Sequence, residues 1–167
     1  MKKTVIALSL ALSLLPAFVS AGTIKIPKDD PAASLTIPNS WEPEESDGGI
    51  LAESPDNVAT VYFKVVATKK EMGTMIDDSI DWLTKEHDVK IDASSKTEKD
   101  FEDSGRKWSR ISWDGNSKEW GPAVVGFLFT DLGNGKVLTV TYWISKKDSD
   151  KNLETLGKIF ASVKPVE

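Results

Sequence analysis

The 167-residue sequence contains no cysteine and a single histidine, His87. Without thiols the chain cannot form disulfide bonds, and it has no cysteine nucleophile and no thiolate metal ligand. Transition-metal sites built from clustered cysteine and histidine are excluded for the same reason. We therefore expect neither a metal nor a cofactor to be needed for folding or function.

The sequence also has few basic residues relative to acidic ones. Of its 21 lysines and arginines, Lys2 and Lys3 belong to an N-terminal segment that we expect to be removed. The remaining 19 basic residues face 26 acidic ones, which gives a net charge of −7. Nucleic acids and anionic membrane surfaces attract basic patches, so neither is the expected partner.

The N-terminal segment has the layout of a secretory signal peptide. Lys2 and Lys3 precede an uncharged apolar run, and Val19-Ser20-Ala21 supplies the small residues of a cleavage site before Gly22. The uncharged stretch is just long enough to span a bilayer, so an uncleaved anchor is the alternative. We predict a signal peptide over residues 1–21 and a soluble periplasmic product of one domain, residues 22–167.

Alternation of apolar and polar residues predicts most of the strands. The predicted strands cover residues 34–38, 58–66, 89–91, 106–113, 124–130 and 137–145. Residues 22–33 are polar and interrupted by two prolines, which predicts a lead-in segment. Residues 39–49 predict a loop, and residues 92–105 a charged connection between strands. Asn134-Gly135 has the chemistry of a tight hairpin turn.

Two amphipathic helices are predicted in addition. Thr68 and Glu71 have capping-box spacing at the start of the first helix, which ends near His87. The second helix covers about residues 149–163, with Leu153 in its apolar stripe. Strands, a helix, several strands and a second helix favour an α+β fold in which an antiparallel sheet packs against both helices.

Four segments together resemble the PsbP-like and DcrB-like superfamily over residues 34–163. They are Leu35-Thr36-Ile37-Pro38 followed by Trp41, the mid-chain helix, the hairpin of residues 131–140, and the closing segment of residues 156–163. The resemblance implies an αβα sandwich, in members that act by binding protein partners and not by catalysis. It carries no active-site motif, so it assigns no functional residue.

Motifs of catalytic or metal sites are incomplete throughout the chain. His87 lacks the nucleophile elbow that a serine hydrolase needs, and Ser104-Gly105-Arg106-Lys107 matches Ser-x-x-Lys without its companion motifs. Asp77, Asp78 and Asp81 lie opposite the apolar stripe of the first helix, which indicates a solvated face. The calcium-loop pattern that begins at Asp148 fails at its glycine and glutamate positions.

Tryptophan is the unusual component, with six residues in the chain. In the strand of residues 106–113, alternation places Arg106, Trp108 and Arg110 on one face, and Ile111 and Trp113 on the other, core-facing side. Arginines beside an indole are frequent at protein interfaces. The alternative is that Trp108 packs under a helix while the arginines extend to solvent.

Together with Trp120, which falls in a predicted loop, Arg106, Trp108 and Arg110 form the candidate partner-binding set. The leading hypothesis is an exported, non-enzymatic binding or accessory protein that acts through a protein partner. A small-ligand or glycan module that uses tryptophan faces, and a hydrolase with a dispersed site, are the alternatives.

Overall fold

The computed structural model describes residues 21–118, 121–133, 135–147 and 150–166, without the side chains of Lys69 and Lys151. Almost all of the predicted signal peptide therefore lies outside the described residues. The same is true of Trp120, of Asn134 in the predicted hairpin turn, and of the start of the calcium-like pattern at Asp148.

The described residues form ten strands and two α-helices. The strands are β1 (Ala21–Ile26), β2 (Ala33–Pro38), β3 (Glu44–Ser46), β4 (Gly49–Glu53), β5 (Ala59–Val66), β6 (Lys90–Asp103), β7 (Arg106–Ser117), β8 (Gly121–Gly133), β9 (Lys136–Ser145) and β10 (Lys164–Pro165). The helices are α1 (Lys69–Asp81), continued by a π-helical turn at Trp82–Glu86, and α2 (Asp150–Ala161). The predicted α+β class is confirmed.

Seven strands form one antiparallel sheet in the order β3-β4-β5-β9-β8-β7-β6. A smaller antiparallel sheet contains β1, β2 and β10. On one face of the large sheet, Phe63 and Val140 pack with Ile159 of α2 and with the small sheet. On the other face, Val125 packs with Leu83, which follows α1. The large sheet is therefore the middle layer of an αβα sandwich.

The start of α1 follows the predicted capping box. The Thr68 hydroxyl accepts a hydrogen bond from the Glu71 amide at 3.1 Å, and the Glu71 carboxylate accepts one from the Ala67 amide at 2.8 Å. Both amides precede the first helical hydrogen bonds and would otherwise lack a partner. The helical backbone continues to Glu86, so the predicted end near His87 is also confirmed.

Two polar segments differ from the sequence prediction because both are strands. Residues 22–26 of the predicted lead-in belong to β1, whose Ile26 is buried in the main core. Most of the charged connection belongs to β6, which pairs with β7 over residues 90–92 and 97–103. β6 is an edge strand, and charged side chains are common on edge strands. It needs few apolar residues because its backbone hydrogen bonds to β7 hold it in the sheet.

The turn between β6 and β7 explains how that pairing is specified. Ser104 and Gly105 both adopt positive φ, at 51° and 75°, which matches the twist of a two-residue hairpin.

The predicted loop of residues 39–49 also contains regular structure, since β3 pairs with β4 there.

Candidate binding groove

A groove of about 460 Å³ lies between α2 and the large sheet. We call it the α2 groove. Its lining comes from one helix and four neighbouring strands: Leu153, Leu156, Gly157 and Phe160 of α2, and Phe101, Asp103, Arg110, Val124, Leu128, Tyr142, Ile144, Ser145 and Lys146 of β6 to β9 and the residue after β9. A mostly apolar lining with a few polar groups, at this volume, is typical of a binding site.

The apolar wall of the groove is held by aromatic packing. The Phe160 ring lies 5.6 Å from the Trp108 ring and 6.3 Å from the Phe63 ring, measured between centroids. Leu153, about two helical turns nearer the N-terminus of α2, is 50% exposed and is the one large hydrophobic side chain that is exposed among the described residues. The helix thus presents an apolar side chain to solvent at the groove.

Arg110 is one of two cationic residues in the lining of the groove, together with Lys146. It lies opposite Leu128 in the pairing of β7 with β8, on the face of the sheet that α2 covers. Its Nε atom is buried and has no hydrogen-bond acceptor, and Arg110 forms no ion pair within the described part of the chain. A buried donor without an acceptor is costly, so the guanidinium is suited to an acceptor from outside the chain.

Tyr142 lies beside Arg110 and is 6% exposed. Burial raises the pKa of its phenol above the usual range, while the Ser112 hydroxyl and the charge of Arg110 act in the opposite direction. The phenol therefore stays protonated at neutral pH and adds a polar group to a largely apolar wall.

Lys146 and Asp103 are the other charged residues of the lining. The Lys146 ammonium is 2.7 Å from a carboxylate oxygen of Asp114. No ion pair joins Asp103 to Arg110 within the residues described. Arg110 therefore remains the cation of the groove that lacks a counter-ion.

The structure places the predicted partner-binding residues in different environments. Arg106, Trp108 and Arg110 do share one face of β7, but Trp108 is 1% exposed and packs beneath Phe160. An exposed Trp108 is thus ruled out in favour of the alternative in which it packs under a helix. Arg106 donates a hydrogen bond to the Asp131 carbonyl at 2.9 Å, while Trp120 lies outside the described residues.

Most of the groove could not be found by sequence reasoning. Its lining comes from residues 101–160, and no spacing rule brings four strands and a helix to one point. Leu153 belongs to the predicted apolar stripe of α2, but its exposure is visible only in the structure. Trp113 packs against the second core cluster on the face predicted to be core, but it is only partly buried, beside Phe127.

The other candidate residues do not assemble a site. The His87 ring makes an edge contact with Trp82 at 4.3 Å, and Asp77, Asp78 and Asp81 are exposed as predicted. Across residues 21–118, 121–133, 135–147 and 150–166, no three metal-ligating side chains come together. Neither of the helices described has the length and apolar content that crossing a bilayer requires.

Comparison with protein-family models and with curated protein sequences finds no match. Solved structures do match over most of the chain. The solution structure of cyanobacterial PsbP (CyanoP) from Synechocystis sp. PCC 6803 aligns with a TM-score of 0.54 at 11% identity, covering 90% of this chain and 95% of that one. LpqN, involved in cell envelope biogenesis of Mycobacterium tuberculosis, aligns with a TM-score of 0.50 at 11% identity, covering 88% and 92%. The sandwich of two helices around an antiparallel sheet is thus a PsbP-like fold, as the resemblance in the sequence predicts.

Proposed function

We propose that this chain is an exported, non-enzymatic binding or accessory protein of the periplasm that acts through a protein partner. The observation that carries the proposal is the α2 groove, in which Arg110 has no partner within the described residues. Arginine and tyrosine are enriched among interface hot spots, and the groove presents Arg110 beside Tyr142.

Export is supported by the sequence of residues 1–21, and a role at the cell envelope by the fold that the chain shares with LpqN. A shared fold does not transfer the function of LpqN to this chain, but that function indicates which experiments to carry out on this chain.

A glycan module built on tryptophan faces receives less support than a protein partner. Trp41, Trp108 and Trp143 are buried, and Trp82 and Trp113 are partly buried in the second core cluster. Stacking on a sugar requires an accessible indole face, which none of the three buried residues offers.

Export is tested by the intact mass of the protein in a periplasmic extract. We expect a soluble species that begins at Gly22. A full-length species in the membrane fraction would contradict this part of the proposal.

The partner is tested by photocrosslinking in living cells. A benzophenone amino acid is placed at Leu153, on the edge of the groove, and at Thr74, an exposed position of α1 on the opposite side of the sheet. We expect a discrete protein adduct from position 153 and none from position 74. If neither position, nor a panel of sites over the rest of the surface, yields a protein adduct, the proposed function is wrong.

A further inference from the structure

We propose that the α2 groove recognises a peptide segment of the partner in which a large apolar side chain stands next to an aspartate or glutamate. The apolar side chain fills the groove beside Phe160, and the carboxylate pairs with Arg110. This inference rests on the proposed function and adds the chemistry by which the partner is recognised.

The charge of the occupant follows from Arg110. Its buried Nε has no acceptor, and no carboxylate of the described residues lies within ion-pair distance of it. Asp103 lines the same groove without pairing with it. A guanidinium presents its donors as a planar fork, which a carboxylate matches with two parallel hydrogen bonds. An acidic residue of the partner therefore complements the groove better than a neutral or basic one.

The apolar part of the occupant follows from Leu153 and Phe160. Leu153 and Phe160 both line the groove; Leu153 is half exposed, and Phe160 packs against Trp108. A molecule held wholly inside the groove would leave the outward part of the Leu153 side chain in water. A polypeptide covers both, because one side chain enters the groove while the flanking backbone runs over the edge of α2.

Gly157 provides a way to close the groove without touching Arg110. A Cβ atom built at Gly157 meets nothing within 4 Å, so a larger side chain can extend into the groove from the helix. Gly73 in α1 is equally open, is also helical, and lies on the opposite side of the sheet. Gly157→Phe and Gly73→Phe are thus a matched pair, of which only the first obstructs the groove.

The test selects binders for the whole mature protein from a displayed library of random dodecapeptides. We expect the enriched peptides to share an apolar residue beside an acidic one. The affinity of the strongest peptide is then measured by fluorescence anisotropy. Arg110→Gln should weaken it about tenfold or more, the scale of a lost charged hydrogen bond. Gly157→Phe should weaken it at least as much, while Gly73→Phe should bind like the wild type.

Several results would overturn the inference. These are a library that yields no binder, a consensus without an acid, and affinity that is unchanged in Gly157→Phe or in Arg110→Gln. Sodium dodecanoate binding in the groove with no selected peptide would assign it to a small amphipathic anion instead. Sedimentation that shows a dimer lost in Gly157→Phe would assign it to a second copy of this chain. A protein adduct from the photocrosslinking experiment alongside any of these results would leave the proposed function standing.

Discussion

Replacing Trp108 by alanine should destabilise the fold strongly, because its large indole side chain is only 1% exposed. Truncating a buried tryptophan to alanine costs about 3–5 kcal/mol through lost contacts and a residual cavity. Part of that cost is recovered here, since the Nε1 atom of Trp108 is buried and has no acceptor among the described residues. An unpaired buried donor costs about 1–3 kcal/mol. Subtracting the middle of this range from the middle of the first gives an expected net loss of unfolding free energy of about 2 kcal/mol.

Trp108→Phe separates the two contributions. Phenylalanine keeps a ring against Phe160 and removes the unpaired N–H, so its unfolding free energy should lie within about 1.5 kcal/mol of the wild type. Urea denaturation of the two variants gives both values. A loss below about 1 kcal/mol for Trp108→Ala would refute the packing argument. Trp113→Ala, at a partly buried position, should lose less than Trp108→Ala.

Three further predictions concern two glycines, one aspartate and metal dependence. Gly126→Ala should destabilise the protein severely, because its Cβ would lie 2.3 Å from the Ile111 carbonyl oxygen. Gly73→Ala, at an open helical position, should instead stabilise the protein by about 0.5–1 kcal/mol, and thermal melts compare the two variants. The pKa of Asp56 is lowered, chiefly by a hydrogen bond from Ser54, so its contribution to stability is present above pH 3.8 and is lost as the pH falls through the native pKa. The difference between wild type and Asp56→Ala in urea melts should accordingly shrink below pH 3.8. Adding a chelator should leave the melting temperature unchanged, and a fall of several degrees would contradict the prediction that no ion is needed.

Sequence reasoning was most successful for elements with a regular apolar period. The strand at Ala59–Val66 alternates in sequence because Val61 and Phe63 are buried beneath α2, while Tyr62 and Lys64 on the other face line a cleft beside α1. The capping box at Thr68 is equally local, since all its atoms lie within five residues. Such features are fixed by neighbours in the chain, so they can be predicted without the fold.

The features that sequence reasoning missed depend on distant partners. β6 has no apolar period, and it is a strand because β7 supplies its hydrogen bonds through the Ser104-Gly105 turn. The alternation that places Trp108 on one face of β7 was predicted, but whether α2 covers that face depends on residues 40–50 positions away. Arg110 was predicted to bind a partner because it lies near Trp108 on one face of the strand. The groove that surrounds it is assembled from one helix and four strands, which sequence reasoning could not bring together.

The two edge strands of the large sheet bear on how this protein behaves at high concentration. One edge strand, β3, is exposed but only three residues long, which is too short to template a further strand. The other, β6, extends over 14 residues, but eight of these are charged and its pairing is irregular between Asp92 and Thr97. An incoming strand would have to bury those charges and follow the irregular backbone, so neither edge favours polymerisation. The interior of the sheet can consequently be very apolar, as β8 and β9 are, without making the folded protein prone to aggregate.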